Sequence, residues 1–298
     1  MKKICVIGYP AKHSLSPKIH NYWLEKYGIE GKYEIREIEP EKFEDFFLNL
    51  ENEGYSGCNI TLPFKEKAFE LAKKLGADLE SHGKIIEKVA GAINTVSIKD
   101  GKYIVENTDA AGFCVNIKET NSSFNFEKGK AVILGAGGAA RGIVTALITK
   151  KVPEIVLLNR TRHKSEKIKK EIEEKLNNEY INTNIIVGDW HLRNESLKEA
   201  NILVNTTSLG MVGQPPLDIN LNYLPKYTLV ADIVYRPLIT ELLKEAQKHG
   251  NPIVDGLGML LYQAAPGFEN WFADELKAKR ISGVEVTPEL RKIVEEAL

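Results

Sequence analysis

Cysteine is scarce in this chain of 298 residues: Cys5, Cys58 and Cys114 are an odd number with no short spacing between them. That argues against a disulfide framework and a structural zinc site, reads all three as small buried hydrophobes, and fits a reducing, cytoplasmic setting. Long apolar runs are also missing. No stretch approaches the ~20 residues of a membrane span, and the opening MKKICVIGYP breaks at Gly8 too early for a signal peptide. The expectation is a soluble intracellular protein. Net charge is almost absent, with 40 basic against 41 acidic residues, so no global field favours nucleic acid or an anionic membrane. The six histidines are scattered without metal-ligand spacing. No metal is expected, and the nearest pair, His13 and His20, reads as structural. With 43% hydrophobic and 27% charged residues, 23 Gly and 12 Pro, the composition excludes collagen, a coiled coil and a disordered chain. No repeat and no low-complexity linker is visible.

What is present is alternation. Short apolar runs and amphipathic segments succeed one another throughout, the pattern of α/β proteins with largely parallel sheets. At about 150 residues per domain the length suggests two domains. In the first, 4–8, 32–38, 57–61, 92–98 and 102–106 read as strands, and 17–27, 40–52 and 64–75 as helices. Asp100-Gly101 is a hairpin signal between the last two strands. From residue 130 onward, 131–134, 154–158, 184–187, 201–204, 228–234 and 252–255 are rich in Val, Ile and Leu, as strands covered on both faces require. A helix opening at a Gly-rich turn separates the first two, which makes a right-handed βαβ unit and the start of a doubly wound, Rossmann-like sheet. The tail reads as helical over 258–280 and 288–297, and the main boundary falls near 110–115.

The Gly-rich turn is GAGGAARG (135–142), directly after the strand AVIL. Gly135 permits the tight turn, Gly137 lets backbone approach a pyrophosphate, and Ala140 is small enough for helix to pack on strand. The helix start then offers free N–H groups and a positive dipole end to phosphate. At the end of the second strand an NAD site holds Asp or Glu against the ribose 2′-hydroxyl. This chain instead has Asn159, Arg160, Thr161, Arg162, His163 and Lys164. A carboxylate would repel a 2′-phosphate, whereas a guanidinium pairs with it in fork geometry. Positive charge at a helix start opposes the dipole, so a ligand explains it better than solvation does. The cofactor expected is NADP.

Polar clusters occupy the loops of the first domain. HSLSPKIHN (13–21) follows the first strand, with Ser16 before Pro17 reading as a helix N-cap and Ser14 left without a structural job. GCNITLPFK (57–65) brings Thr61 and Lys65 to the carboxyl end of its strand, where α/β proteins place ligands. GAINT (91–95) and ENTDAAG (106–112) add Asn94 and Asp109. Singly, Asn94 is equally turn chemistry, Lys65 a solvated lysine and Asp109 a helix cap. Together these features describe an NADP-binding oxidoreductase with a separate polar-lined domain and leave its substrate unnamed.

HSLSP, NITLPFK, GAINT, NTDAAG, GAGGAARG, NRT, NTTSLGM, DIVYRP and DGLGMLLYQA stand in the order seen in shikimate dehydrogenases, from about Ile4 to Trp271. The chain resembles that family over nearly its whole length. The resemblance implies reversible, NADP-linked interconversion of 3-dehydroshikimate and shikimate, a step of aromatic amino-acid biosynthesis. It implies a substrate-binding catalytic domain over 1–112, completed by helices of 257–298 that return to it, an NADP domain over 113–256, and a cleft between them. By motif position it makes Ser14 and Ser16 the hydroxyls for the substrate carboxylate, with Tyr235 assisting. Thr61, Asn94, Asp109 and Gln263 become contacts of the ring hydroxyls. Lys65 takes the place of the family's catalytic lysine, with Asp109 beside it. Gly135, Ala136, Gly137, Gly138 and Ala139, with residues 159–164, correspond to the cofactor loops, and Ile233 and Gly256 to the nicotinamide site. Three features depart from the pattern. Segment 76–91 is longer than the usual connection, Tyr9 replaces a small polar residue, and Pro266-Gly267 predicts a kink in the helix after Gln263. Two alternatives are weighed. A quinate/shikimate dehydrogenase with looser cofactor choice tends to carry an Asp near Arg160, which this chain lacks. A non-catalytic dinucleotide-binding relative would be favoured by loss of Lys65 or Asp109, and both are present. A homodimer is an assembly the sequence leaves open.

Overall fold

Two sheets account for the alternating apolar runs. The structure, a computed structural model, describes residues 1–77, 85–176 and 182–298. The chain divides into two compact units, Met1–Gly112 with Leu261–Ala297, and Phe113–Leu260 with Leu298. Among the described residues no helix is long and apolar enough to cross a membrane.

The first unit holds a five-stranded sheet in the order β2-β1-β3-β4-β5. Its strands are β1 (Lys2–Gly8), β2 (Gly31–Glu37), β3 (Gly57–Ile60), β4 (Thr95–Lys99) and β5 (Lys102–Glu106). The first three are parallel, and β4 and β5 form an antiparallel hairpin beside β3. Asp100 and Gly101 turn that hairpin at φ 52° and 70°, the left-handed pair a two-residue loop of this twist requires. Helices α1 (Ser16–Lys26), α2 (Phe43–Leu48), α3 (Lys65–Lys74) and α4 (Ile85–Ala90) belong to the same unit. Phe43, Phe47, Phe64 and Leu71 form one buried cluster with Ile7, Ile60 and Val96 of the sheet. Full burial of each such side chain contributes about 1.5–3 kcal/mol. Strand β4 begins at Thr95 rather than Ala92, because the Ile93 N–H is taken by the Lys65 carbonyl at 3.1 Å instead of by a strand. Of the segment 76–91, residues 78–84 lie outside the described residues, and its end forms α4.

The second unit holds six parallel strands in the order β11-β10-β9-β6-β7-β8. They are β6 (Lys130–Leu134), β7 (Glu154–Asn159), β8 (Asn184–Asp189), β9 (Ala200–Asn205), β10 (Leu229–Asp232) and β11 (Ile253–Val254). Chain order reverses between β6 and β9, the switch point of a doubly wound sheet, outside whose carboxyl ends ligands bind. Helices α6 (Gly138–Thr149), α7 (Arg162–Leu176) and α8 (Glu241–His249) belong to this unit, α5 (Asp109–Thr120) and α9 (Gly256–Trp271) have residues in both, and α10 (Ala273–Ala278) and α11 (Pro288–Glu295) belong to the first. The division between the units falls within α5 and within α9. Two expectations are corrected. Strand β10 stops at Asp232, not at 234, because the Asp232 carboxylate captures the Val234 N–H at 3.0 Å. The tail expected as one helix over 258–280 is two, α9 running through Pro266 to Trp271 and α10 following.

Candidate active site

In the first unit, β1 and β3 pair in register from Ile4 and Gly57 to Ile7 and Ile60. The loops after them therefore emerge side by side, with the Tyr9 N–H donating to the Leu62 carbonyl at 3.0 Å. One loop carries Ser14 and Ser16, the other Thr61 and, at the first residue of α3, Lys65. The Lys65 ammonium donates to the Asp109 carboxylate, and both side chains keep part of their surface, 25% and 19%. The second Asp109 oxygen accepts from Asn94 Nδ2 at 3.0 Å. Asn94 is buried, and the same amide nitrogen reaches Gln263 Oε1 at 3.1 Å and Thr108 Oγ1 at 2.9 Å. Its side-chain oxygen, Oδ1, accepts the Thr108 N–H at 2.8 Å. Lys65, Asn94, Asp109 and Gln263 thus belong to one hydrogen-bonded group.

That group rests on a residue the sequence did not single out. Asn59, buried in β3, donates to the Asn94 carbonyl and to Thr95 Oγ1, each at 3.0 Å, and accepts from the Tyr33 hydroxyl at 2.6 Å. A buried amide without partners would cost about 1–3 kcal/mol. An Asn inside a four-residue strand whose every position is buried was the available signal. His20 lies fully buried against Tyr33, its ring stacked at 4.2 Å, with Trp23, Phe268 and Trp271 around it. Among the described residues neither ring nitrogen has a hydrogen-bond partner, and burial pushes its pKa down to about 3, which nearby Asn59 offsets only in part.

Ser16 is not the N-cap of α1. Leu15 precedes the helix in αR geometry and Ser16 is its first residue, so the Ser16 hydroxyl sits too far into the helix to cap it. Ser14 Oγ instead accepts the Ser16 N–H at 3.3 Å. Ser14 therefore does have a structural task, and Ser16 is buried.

In the second unit Gly135 follows β6 with φ +114°, and a Cβ there would lie 2.5 Å from Thr206 Oγ1. Only glycine fits this turn. Gly137 caps α6 and Gly138 begins it, and a Cβ on either would meet nothing within 4 Å. Open space thus lies beside the unpaired N–H groups of the first turn, with Ala136 and Ala139 half-buried and Ala140 fully buried. This cradle fits a pyrophosphate. Asn159 ends β7 and donates to the Thr161 carbonyl at 2.9 Å, and residues 160–164 are exposed. Arg160, His163 and Lys164 make no ion pair among the described residues. Arg162 differs from them: its guanidinium meets Asp189 at 2.5 Å and Glu166 at 2.8 Å.

Beyond β10, Gly256 opens α9 so close to Ile233 that a Cβ would lie 2.4 Å from its carbonyl oxygen. Tyr235 is partly buried, which raises its phenol pKa against the opposing charge of Arg236. A buried polar knot sets this stretch. Asp232 accepts from Asn205 at 3.0 Å, from the Val234 N–H at 3.0 Å and from the Thr240 hydroxyl at 2.7 Å. Burial nevertheless pushes the Asp232 carboxyl up to about 6.

A shikimate dehydrogenase (NADP(+)) of Dinoroseobacter shibae is 44% identical over 289 residues, covering 96% of this chain and 94% of its own. The chain belongs to the shikimate dehydrogenase family. The family of shikimate dehydrogenase substrate binding domains matches residues 6–96, and that of shikimate / quinate 5-dehydrogenases residues 117–209. The crystal structure of shikimate 5-dehydrogenase from Thermus thermophilus, in complex with NADP(H) and shikimate, superposes with a TM-score of 0.80. It is 30% identical and each chain is covered completely. The ligand-free 5-ketofructose reductase of a Gluconobacter strain gives 0.81 at 26% identity, covering 100% of this chain and 99% of its own. The shikimate dehydrogenase architecture therefore also occurs in a reductase named for another substrate, and side chains must decide the substrate.

Proposed function

We propose that this chain is an NADP-dependent shikimate dehydrogenase, reversibly reducing 3-dehydroshikimate to shikimate in the chorismate branch of aromatic amino-acid biosynthesis. The observation that carries the reading is the Lys65–Asp109 pair, held by buried Asn94 and Gln263, in a chain 44% identical to a shikimate dehydrogenase. Such a group suits a polyhydroxylated ring, because it offers a cation, an anion and amides fixed in orientation. Ser14 and Ser16 bind the substrate carboxylate, and Tyr235 adds a hydroxyl donor. Thr61, Asn94, Asp109 and Gln263 meet the ring hydroxyls. In ketone reduction the oxygen gains a proton as the carbon gains hydride. Lys65 Nζ gives that proton and stabilises the developing alkoxide, and Asp109 keeps the ammonium aimed.

Gly135 to Ala139 would hold the pyrophosphate of NADP, Asn159 to Lys164 its adenosine phosphate end, and Ile233 and Gly256 the nicotinamide. When bound, NADPH supplies the hydride. We place the protein in the cytoplasm, a setting its free, buried cysteines suit.

Absorbance at the NADPH band, with shikimate or quinate and NADP or NAD, tests the reading. Shikimate with NADP should be turned over fastest. Faster turnover with quinate or with NAD would favour a quinate/shikimate dehydrogenase, and no turnover a non-catalytic relative. Light scattering of the same preparation distinguishes monomer from homodimer.

A further inference from the structure

The end of β8 carries a carboxylate where a phosphate-reading site has reason to avoid one. Strands β7 and β8 are parallel neighbours in register, Asn159 opposite Asp189, and adjacent strands lie about 4.8 Å apart. Asp189 therefore stands at the same height as the Asn159-Arg160-Thr161 stretch, one strand over. It is 44% exposed and paired to Arg162 Nη1 at 2.5 Å, while Arg162 Nε is held by Glu166 at 2.8 Å. The Arg162 fork is thus divided between two acids, and two negative charges surround one positive. Arg160 and Lys164, on the same stretch, form no ion pair among the described residues.

From this arrangement we infer that Asp189 is a selectivity-tuning residue for the cofactor: its charge weakens binding of the 2′-phosphate, and Arg162 acts chiefly as its mask. The inference rests on the reading that the end of β7 meets the 2′-phosphate. A like charge near a phosphate opposes it, and an arginine already shared by two carboxylates has little left to offer as a fork. Arg162 therefore contributes by neutralising Asp189, and Arg160 does the reading. NAD, lacking that phosphate, is indifferent to both.

The test uses the full-length enzyme and Michaelis constants for NADP and NAD at low and high salt. Asp189→Asn should lower KM for NADP about two- to fivefold, the scale of one screened surface charge, and leave KM for NAD unchanged. The effect should shrink as salt rises. Arg162→Ala should raise KM for NADP by unmasking Asp189, and adding Asp189→Asn to it should restore most of the loss. An unchanged NADP value in Asp189→Asn, an equal shift for both cofactors, or no restoration in the double variant overturns the inference. Failure of the underlying reading looks different: the unmodified enzyme would prefer NAD, or Arg160→Ala would weaken both cofactors alike.

Discussion

Lys65 depends on its neighbours for a fixed position. A four-carbon stem ending in an ammonium has several rotamers open to it, and immobilising it costs up to about 2 kcal/mol of side-chain entropy. Asp109 fixes it, and Asp109 is fixed in turn by Asn94. Lys65→Ala should therefore lower kcat by roughly 10²–10⁴-fold, the scale of a lost general acid, while KM for shikimate moves far less. Near-normal turnover in that variant would leave Lys65 a binding residue or a surface charge. Arg160 is the corresponding residue of the cofactor loop, exposed and, among the described residues, without the ion pairs that hold Arg162. Arg160→Ala should raise KM for NADP roughly 10- to 100-fold, the scale of a charged hydrogen bond lost, and leave NAD nearly untouched. Parallel loss of both cofactors would show Arg160 supporting the loop and not reading the phosphate.

At the scale of elements, the stretch from β10 to α8 depends on one buried carboxylate. Asp232 stops the strand by taking the Val234 N–H, and it accepts from Thr240, whose hydroxyl also caps α8 at the Leu243 N–H. Thr240→Val keeps the shape and removes both bonds. It should destabilise the protein by about 1–3 kcal/mol, seen as a lower midpoint in thermal unfolding. An unchanged midpoint would mean that water replaces the hydroxyl. This knot also shows where a sequence can be read and where it cannot. The strands of the second unit were legible because parallel strands covered on both faces must be apolar along their length. The Gly-rich turn was legible because only glycine takes φ +114° beside Thr206. The end of β10 was not, because Ile233 and Val234 continue the apolar run and the residue that stops it is a side chain folding back. The Lys65, Asn94, Asp109 and Gln263 group was visible only as separate motifs, since Gln263 lies 169 residues from Asn94. Asn59 and Thr108 were missed because their task is to satisfy buried partners, which local pattern does not record. Ser16 was misread as a cap because Ser-Pro marks a helix start to within one residue, and here the helix begins at the serine itself.

Taken as a whole, the molecule carries a buried titrating group in each unit, with opposite consequences for stability. His20 in the first unit is neutral, its pKa lowered to about 3 by burial, whereas in the unfolded chain it titrates near 6.5. Between those values the unfolded state binds the extra proton, so this contribution to stability is present above about 6.5 and lost as pH falls toward 3. Asp232 in the second unit is raised to about 6, against about 3.9 when unfolded. There the folded state binds the extra proton, so its contribution is present below about 3.9 and lost as pH rises through 6. Acidification from pH 7 to pH 4 should weaken the first unit through His20 while strengthening the second through Asp232. Trp23 and Trp271 flank His20, so tryptophan fluorescence during urea unfolding follows the first unit closely. His20→Phe keeps an aromatic ring among Tyr33, Phe268 and the two tryptophans and removes the proton site. Whatever its offset at pH 7, the variant should gain on the unmodified protein by about 1.4 kcal/mol per pH unit below 6.5. A difference that stays constant from pH 7 to pH 4 would mean that His20 is protonated in the folded state as readily as in the unfolded one, and that the aromatic box around it admits water.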